Sequence, residues 1–220
     1  MLNISPMNPA RLLDPNQRIA EVLFGLIMVL TFTGSLGVAD AGREDVRVML
    51  IGALGCNLAW GIIDGVFYLM GSLAEKGIGL QTLRAVRESA NPTQAQNLIA
   101  GALPATIAAV LEPAELEKLH QRLRQLPEPP AKVHLNGNDW LAALGVMLLV
   151  FLSTFPVAIP FIFMDEAGPA LRVSNVVAIS LLFIAGQAYG RCIDRSPWMI
   201  GGAMVALGAG LTSMAIALGG

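Results

Sequence analysis

The chain has 220 residues, 55% of them hydrophobic and only 14% charged, with a formal net charge of −2. A soluble domain carries about 25% charged residues, so the composition argues against an ordinary soluble fold. The near-neutral balance, with no dense basic cluster, argues against a nucleic-acid partner.

Five long stretches are almost free of charge: 22–39, 48–74, 140–164, 173–190 and 196–220, the second broken only by Asp64. Each approaches or exceeds the ~18–20 apolar residues with which a helix crosses a bilayer core. The sequence therefore predicts an all-α polytopic membrane protein with five transmembrane helices and the lipid bilayer around it. A polar stretch lies between spans two and three. The expected organisation is a flexible cytoplasmic N-terminus at 1–17, spans one and two in 18–74, a small cytoplasmic helical insert at 75–138, and spans three to five in 139–220. The first seventeen residues include Pro6, Pro9 and Pro15 and lack the apolar core of a signal peptide.

Orientation follows from the fourteen basic residues. Eleven of them (Arg11, Arg18, Lys76, Arg84, Arg87, Lys118, Arg122, Arg124, Lys132, Arg191 and Arg195) fall on one side, and Arg43, Arg47 and Arg172 on the other. The positive-inside rule places the N-terminus in the cytoplasm and the C-terminus outside, as for a bacterial inner-membrane protein.

In chain order, Asp14-Pro15-Asn16-Gln17 reads as a helix start, with Asp as N-cap and Pro at the first helical position. Short outer connections at 40–47 and 165–172 make spans one and two, and spans three and four, antiparallel neighbours. Gly77 and Gly79 are expected to interrupt the second helix as it leaves the bilayer, and Asn91-Pro92 to stop the pattern of Leu80, Leu83, Val86 and Ala90. The apolar stretch 98–111, containing Pro104, is too short to cross and reads as one packed or interfacial helix. Leu116, Leu119, Leu123 and Leu126 form a stripe on a helix that starts near Glu112-Pro113 and is ended by Pro127, Pro129 and Pro130. Pro156 and Pro160 should kink or break span three. Ser196-Pro197 opens span five. Gly186–Gly190, Gly61–Gly65 and Gly202–Ala206 are small-residue pairs suited to close helix packing.

Asp64 is the outlier, an acid about eight residues from the inner end of its span. At that depth an ionisable group costs roughly 2.5–3.5 kcal/mol and should face the bundle with a partner. It would bind a cation or carry a proton; the alternative is a protonated acid that hydrogen-bonds a neighbouring helix as structural glue. Asn57, seven residues earlier, lies on about the same face. On helix one, Glu21, Met28 and Ser35 recur at intervals of seven, and Met28 is expected at a depth similar to that of Asp64. Carboxylate, thioether and amide oxygen together would make a metal site, and soft sulfur favours Fe²⁺ or Cu⁺ over Ca²⁺ or Mg²⁺. Against this, the ten methionines of so apolar a chain are mostly packing residues. Glu21, at the cytoplasmic mouth, either attracts cations or pairs with Arg18. Glu112, Glu115 and Glu117 could recruit metal below the membrane, or simply favour a helix start. His120 and His134 have no ligand spacing and are expected on the surface. Cys56 and Cys192 read as small hydrophobes, not as a disulfide or metal pair. No Ser/His/Asp set, HExxH, P-loop or GxGxxG is present, so nothing recommends an enzyme or a resident cofactor.

Two spans, a cytoplasmic helical insert and three further spans resemble the vacuolar iron transporter family over most of residues 18–220. The local matches are Phe24-Gly25 through Thr31-Phe32, the segment FLSTFPVAIP from Phe151 to Pro160, Gly190-Arg191, and Ser196-Pro197. The resemblance implies a homodimer that transports Fe²⁺ or Mn²⁺, with a path lined by helices one and two and exchange for protons. The sequence departs from the family where an Asn-Asp-Gly stretch is replaced by Ile27-Met28-Val29, and where a helix-two methionine falls near Asp64 or Gly65. The insert, with Glu88, Glu112, Glu115, Glu117 and Glu128, is also less acidic. The two expectations are a divalent-metal transporter centred on Asp64 and a non-transporting membrane scaffold of the same fold.

Overall fold

The computed structural model describes residues 13–34 and 42–217, and over these it is helical without strands. The N-terminal tail to residue 12, the end of the first expected span with Ser35, and residues 218–220 lie outside them. The helices are α1 (Pro15–Gly34), α2 (Arg43–Glu88), α3 (Pro92–Ala102), α4 (Ala105–Ala108), α5 (Pro113–Gln125), α6 (Gly137–Ser153), α7 (Phe155–Phe163), α8 (Ala167–Cys192) and α9 (Pro197–Ala217). Four segments are long and apolar enough to cross a membrane: Glu44–Glu88, Gly137–Phe163, Ala167–Cys192 and Pro197–Met214. The chain is thus a helical integral membrane protein. Its large apolar side chains agree, with Phe67, Phe163 and Trp198 at 60%, 81% and 72% exposure. Apolar exposure on that scale suits lipid, not water.

The chain divides into two compact units, one comprising residues up to Tyr68 together with Gly137 onward, the other Leu69–Asn136. In the first, α1 is the central helix, packed against α6, α7, α8 and α9. Its Leu23, Leu26, Val29 and Leu30 form a core with Ala53 of α2, Val157 of α7, and Ala178 and Leu182 of α8. Glycines set the closest approaches. A Cβ on Gly61 would lie 2.8 Å from the Met147 carbonyl of α6, and one on Gly186 would lie 2.9 Å from Gly201 Cα of α9. The Gly61–Gly65 and Gly186–Gly190 pairs are therefore seams where backbones meet. Gly202, by contrast, has no neighbour within 4 Å; Gly201, one residue or 100° around the helix, faces α8 instead.

Span three breaks at Thr154, between α6 and α7. Pro156 and Pro160 lack the N–H groups that would bind the carbonyls of Leu152 and Pro156. The chain tightens there, with the Thr154 amide donating to Phe151 O at 3.2 Å. Ser174 of α8 donates its hydroxyl to Val157 O at 2.7 Å, so a neighbouring helix supports the irregular stretch.

The second unit corrects four expectations. Gly77 and Gly79 do not interrupt α2, which continues for 46 residues to Glu88. An isolated helical glycine costs only about 1 kcal/mol, and the extension is tied down elsewhere. Arg84 donates to the carbonyls of Pro130 and Ala131 at 2.6 and 2.9 Å, and Arg87 to that of Pro127 at 2.8 Å. The stretch 98–111 is not one helix, because Pro104 forces Leu103 into an extended conformation (φ −97, ψ 153). His120 is buried, not on the surface, at 4% exposure. It lies on the inward side of α5, between Leu116 and Leu123, which pack with Val86 and Ile99. His134 is exposed as expected. Leu126 leaves the stripe, ending α5 with its side chain 47% exposed.

Candidate cation site

Three contacts fix the antiparallel register of α1 on α2. Gly52 sits against Phe32, whose ring would be 3.6 Å from a Cβ there. Asn57 Nδ2 donates to the Gly25 carbonyl at 3.3 Å. The Phe24 and Trp60 rings meet edge-on, with centroids 5.8 Å apart. Carried one further turn along each helix, the same register sets Asp64 of α2 opposite Glu21 of α1. In each pair a step up one helix matches a step down the other.

This register sets Glu21 and Asp64, both half-buried, at one level of the two facing helices. It separates Met28 from them. Met28 falls level with Cys56, eight residues and about 12 Å from Asp64 along the helix. The expected common depth of Met28 and Asp64 is thus corrected. It assumed that the apolar stretches start in one plane, whereas both helices run well past them, α1 from Pro15 and α2 to Glu88.

Asn57 belongs to a separate polar node. It is fully buried, and its amide donates to both Gly25 O and Thr154 Oγ1, joining α1, α2 and the α6–α7 break. Its Oδ1 is buried without a hydrogen bond in the structure. Seven residues place it about 10 Å from the carboxylate pair, too far to share one ion. Nothing in the sequence names Thr154 as the partner of Asn57.

At the carboxylate level the donors are oxygen alone. Two carboxylates at one level of a helix pair repel each other, and a proton or a cation between them relieves that repulsion. Oxygen-only ligation suits Mn²⁺, Mg²⁺ or Ca²⁺ more than soft metals. Arg18, the other candidate partner of Glu21, donates from Nε and Nη2 to Leu13 O at 3.2 and 3.0 Å.

The insert glutamates do not gather into a site. Glu115 turns back to accept the Glu112 amide at 2.9 Å, closing the first turn of α5. Glu117, about 200° around the helix from Glu115, accepts from Gln121 at 3.1 Å and Gln96 at 3.3 Å. These bonds hold its carboxyl below the usual range, with the nearby His120 adding a smaller effect. Among the described residues no group of three or more His, Cys, Asp and Glu could hold a metal. Cys56 and Cys192 are both free. No protein-family profile matches the chain, and no curated protein is similar to it.

Proposed function

We propose that this protein carries divalent transition-metal cations across a membrane, manganese ahead of iron, in metal homeostasis, with Glu21 and Asp64 as the ion-handling pair. The single observation behind this reading is the α1–α2 register, which sets two acids at one level of facing helices. Intramembrane acids are expensive, and when they share a level they mark an ion or proton path. Placing Met28 two turns away removes the soft ligand, which shifts the preferred cargo from iron toward manganese. The reading takes α1 as the fifth span, with N-terminus and insert in the cytoplasm and C-terminus outside, in a bacterial inner membrane. It keeps the likeness to the vacuolar iron transporter family, as a divergent homodimeric member that is not an enzyme, with proton exchange as its coupling. The insert glutamates have no part in it.

Metal-tolerance assays in manganese-sensitive cells test this. Glu21→Gln and Asp64→Asn should each abolish protection while the protein still reaches the membrane. Unchanged protection in both variants would remove the proposed site. A scaffold reading draws on the Asn57 node and the glycine-lined seams, which serve packing alone. Under it, the same substitutions change only folded yield and dimer content.

A further inference from the structure

Where α2 and α8 begin, a cavity of about 450 Å³ opens between the first turns of α2, the end of α7 and the start of α8. Its volume lies within the range of small-molecule sites. Leu50, Leu54 and Phe161 form an apolar wall. Ile51 and Ile162 also line it and are 61% and 66% exposed, so the cavity opens sideways toward acyl chains. The rim carries both signs of charge: Arg47, with Glu44 and Asp165.

We infer that this groove binds one phospholipid with an ethanolamine headgroup. The order of charges matches such a lipid. Arg47 lies three residues farther into α2 than Glu44, about 4.5 Å deeper along the helix. A headgroup with its phosphate next to the glycerol and its ammonium farther out meets the guanidinium first and the carboxylates second. Guanidinium presents a donor fork suited to phosphate oxygens, and the carboxylates accept from the primary ammonium. Arg47 and Glu44 are 3.9 Å apart with side chains 71% and 79% exposed. A pair so exposed is weakly held and free to exchange its partner for the headgroup. Choline offers no N–H to a carboxylate, and a glycerol headgroup leaves Glu44 facing an anion.

The inference needs only residence in a membrane and is independent of the cation proposal. Native mass spectrometry of the full chain tests it, after exchange into equal amounts of phosphatidylethanolamine, phosphatidylcholine and phosphatidylglycerol with identical acyl chains. The ethanolamine lipid should be retained roughly two- to fivefold over the choline lipid, the scale of an exposed ion pair. Glu44→Gln should bring that ratio near one, and circular dichroism should show its helix content unchanged. Equal retention of the two lipids, preference for the glycerol lipid, or a ratio indifferent to Glu44→Gln would each overturn the assignment.

Discussion

Gly25→Ala probes the packing of α1 at its tightest point. An added Cβ would collide with Ser153 Oγ and lie 2.5 Å from the Val150 carbonyl. The hydroxyl can rotate away, but the carbonyl belongs to the α6 backbone. Restoring an ordinary 3.4 Å contact requires a shift of 0.9 Å between α1 and α6. Overpacking of this kind costs about 1–3 kcal/mol. Displacing Gly25 also strains the Asn57 bond to its carbonyl, and membrane hydrogen bonds contribute about 0.6 kcal/mol on average. The helix propensity of alanine offsets at most about 1 kcal/mol, so the net loss should be about 1–3 kcal/mol. Reversible unfolding in mixed micelles, followed by circular dichroism, measures it. Gly202→Ala is the control, since nothing lies within 4 Å of its Cβ, and it should be neutral or slightly stabilising. Adding Ser153→Ala to Gly25→Ala should recover only part of the loss, because the carbonyl remains. The reasoning fails if Gly25→Ala unfolds like wild type, or if Gly202→Ala loses as much.

The buried node gives a second expectation. Asn57→Ala should cost about 0.6–2 kcal/mol in the same assay, and Asn57→Asp more, since it points an acceptor at the Gly25 carbonyl; equal stability of all three forms would count against the node. In the insert, the depressed Glu117 carboxyl contributes stability that is present above its ordinary 4.5 and lost as pH falls below it. Its side-chain carbon resonance, followed by NMR, should titrate with a midpoint under 4.5 and return toward 4.5 in the Gln96→Ala, Gln121→Ala double variant. An identical midpoint in both forms would deny those hydrogen bonds their role. At α3, Asn91 Oδ1 accepts the Thr93 amide at 2.9 Å, so Asn91→Ala should cost about 1 kcal/mol. Faster hydrogen exchange over residues 93–96 would report it.

Much of the membrane architecture was legible in the sequence because hydrocarbon demands long uncharged helices, and four such segments are present. The break in span three was legible for a similar reason: proline removes a donor whatever the context. Pairing depth was not. The levels of Met28 and Asp64 depend on how α1 slides along α2, and that is set by Gly25, Gly52 and the Phe24–Trp60 contact, which carry no register signal until they meet. The continuity of α2 past Gly77 and Gly79 depends on arginines that reach carbonyls forty or more residues away. The burial of His120 was hidden because polarity outweighs position in a sequence reading, although the residue falls between Leu116 and Leu123 of the apolar stripe. Glu21 was visible as a mouth residue, but its meeting with Asp64 required the folded seam.

The central claim is that the Glu21–Asp64 pair passes a divalent metal, and flux into sealed liposomes loaded with a metal-quenched dye tests it most directly. Reconstituted wild-type protein should admit Mn²⁺ faster than Fe²⁺, while the Glu21→Gln, Asp64→Asn double variant should match empty liposomes. Wild-type protein that admits none of these ions, or a double variant that admits Mn²⁺ at the wild-type rate, would contradict it.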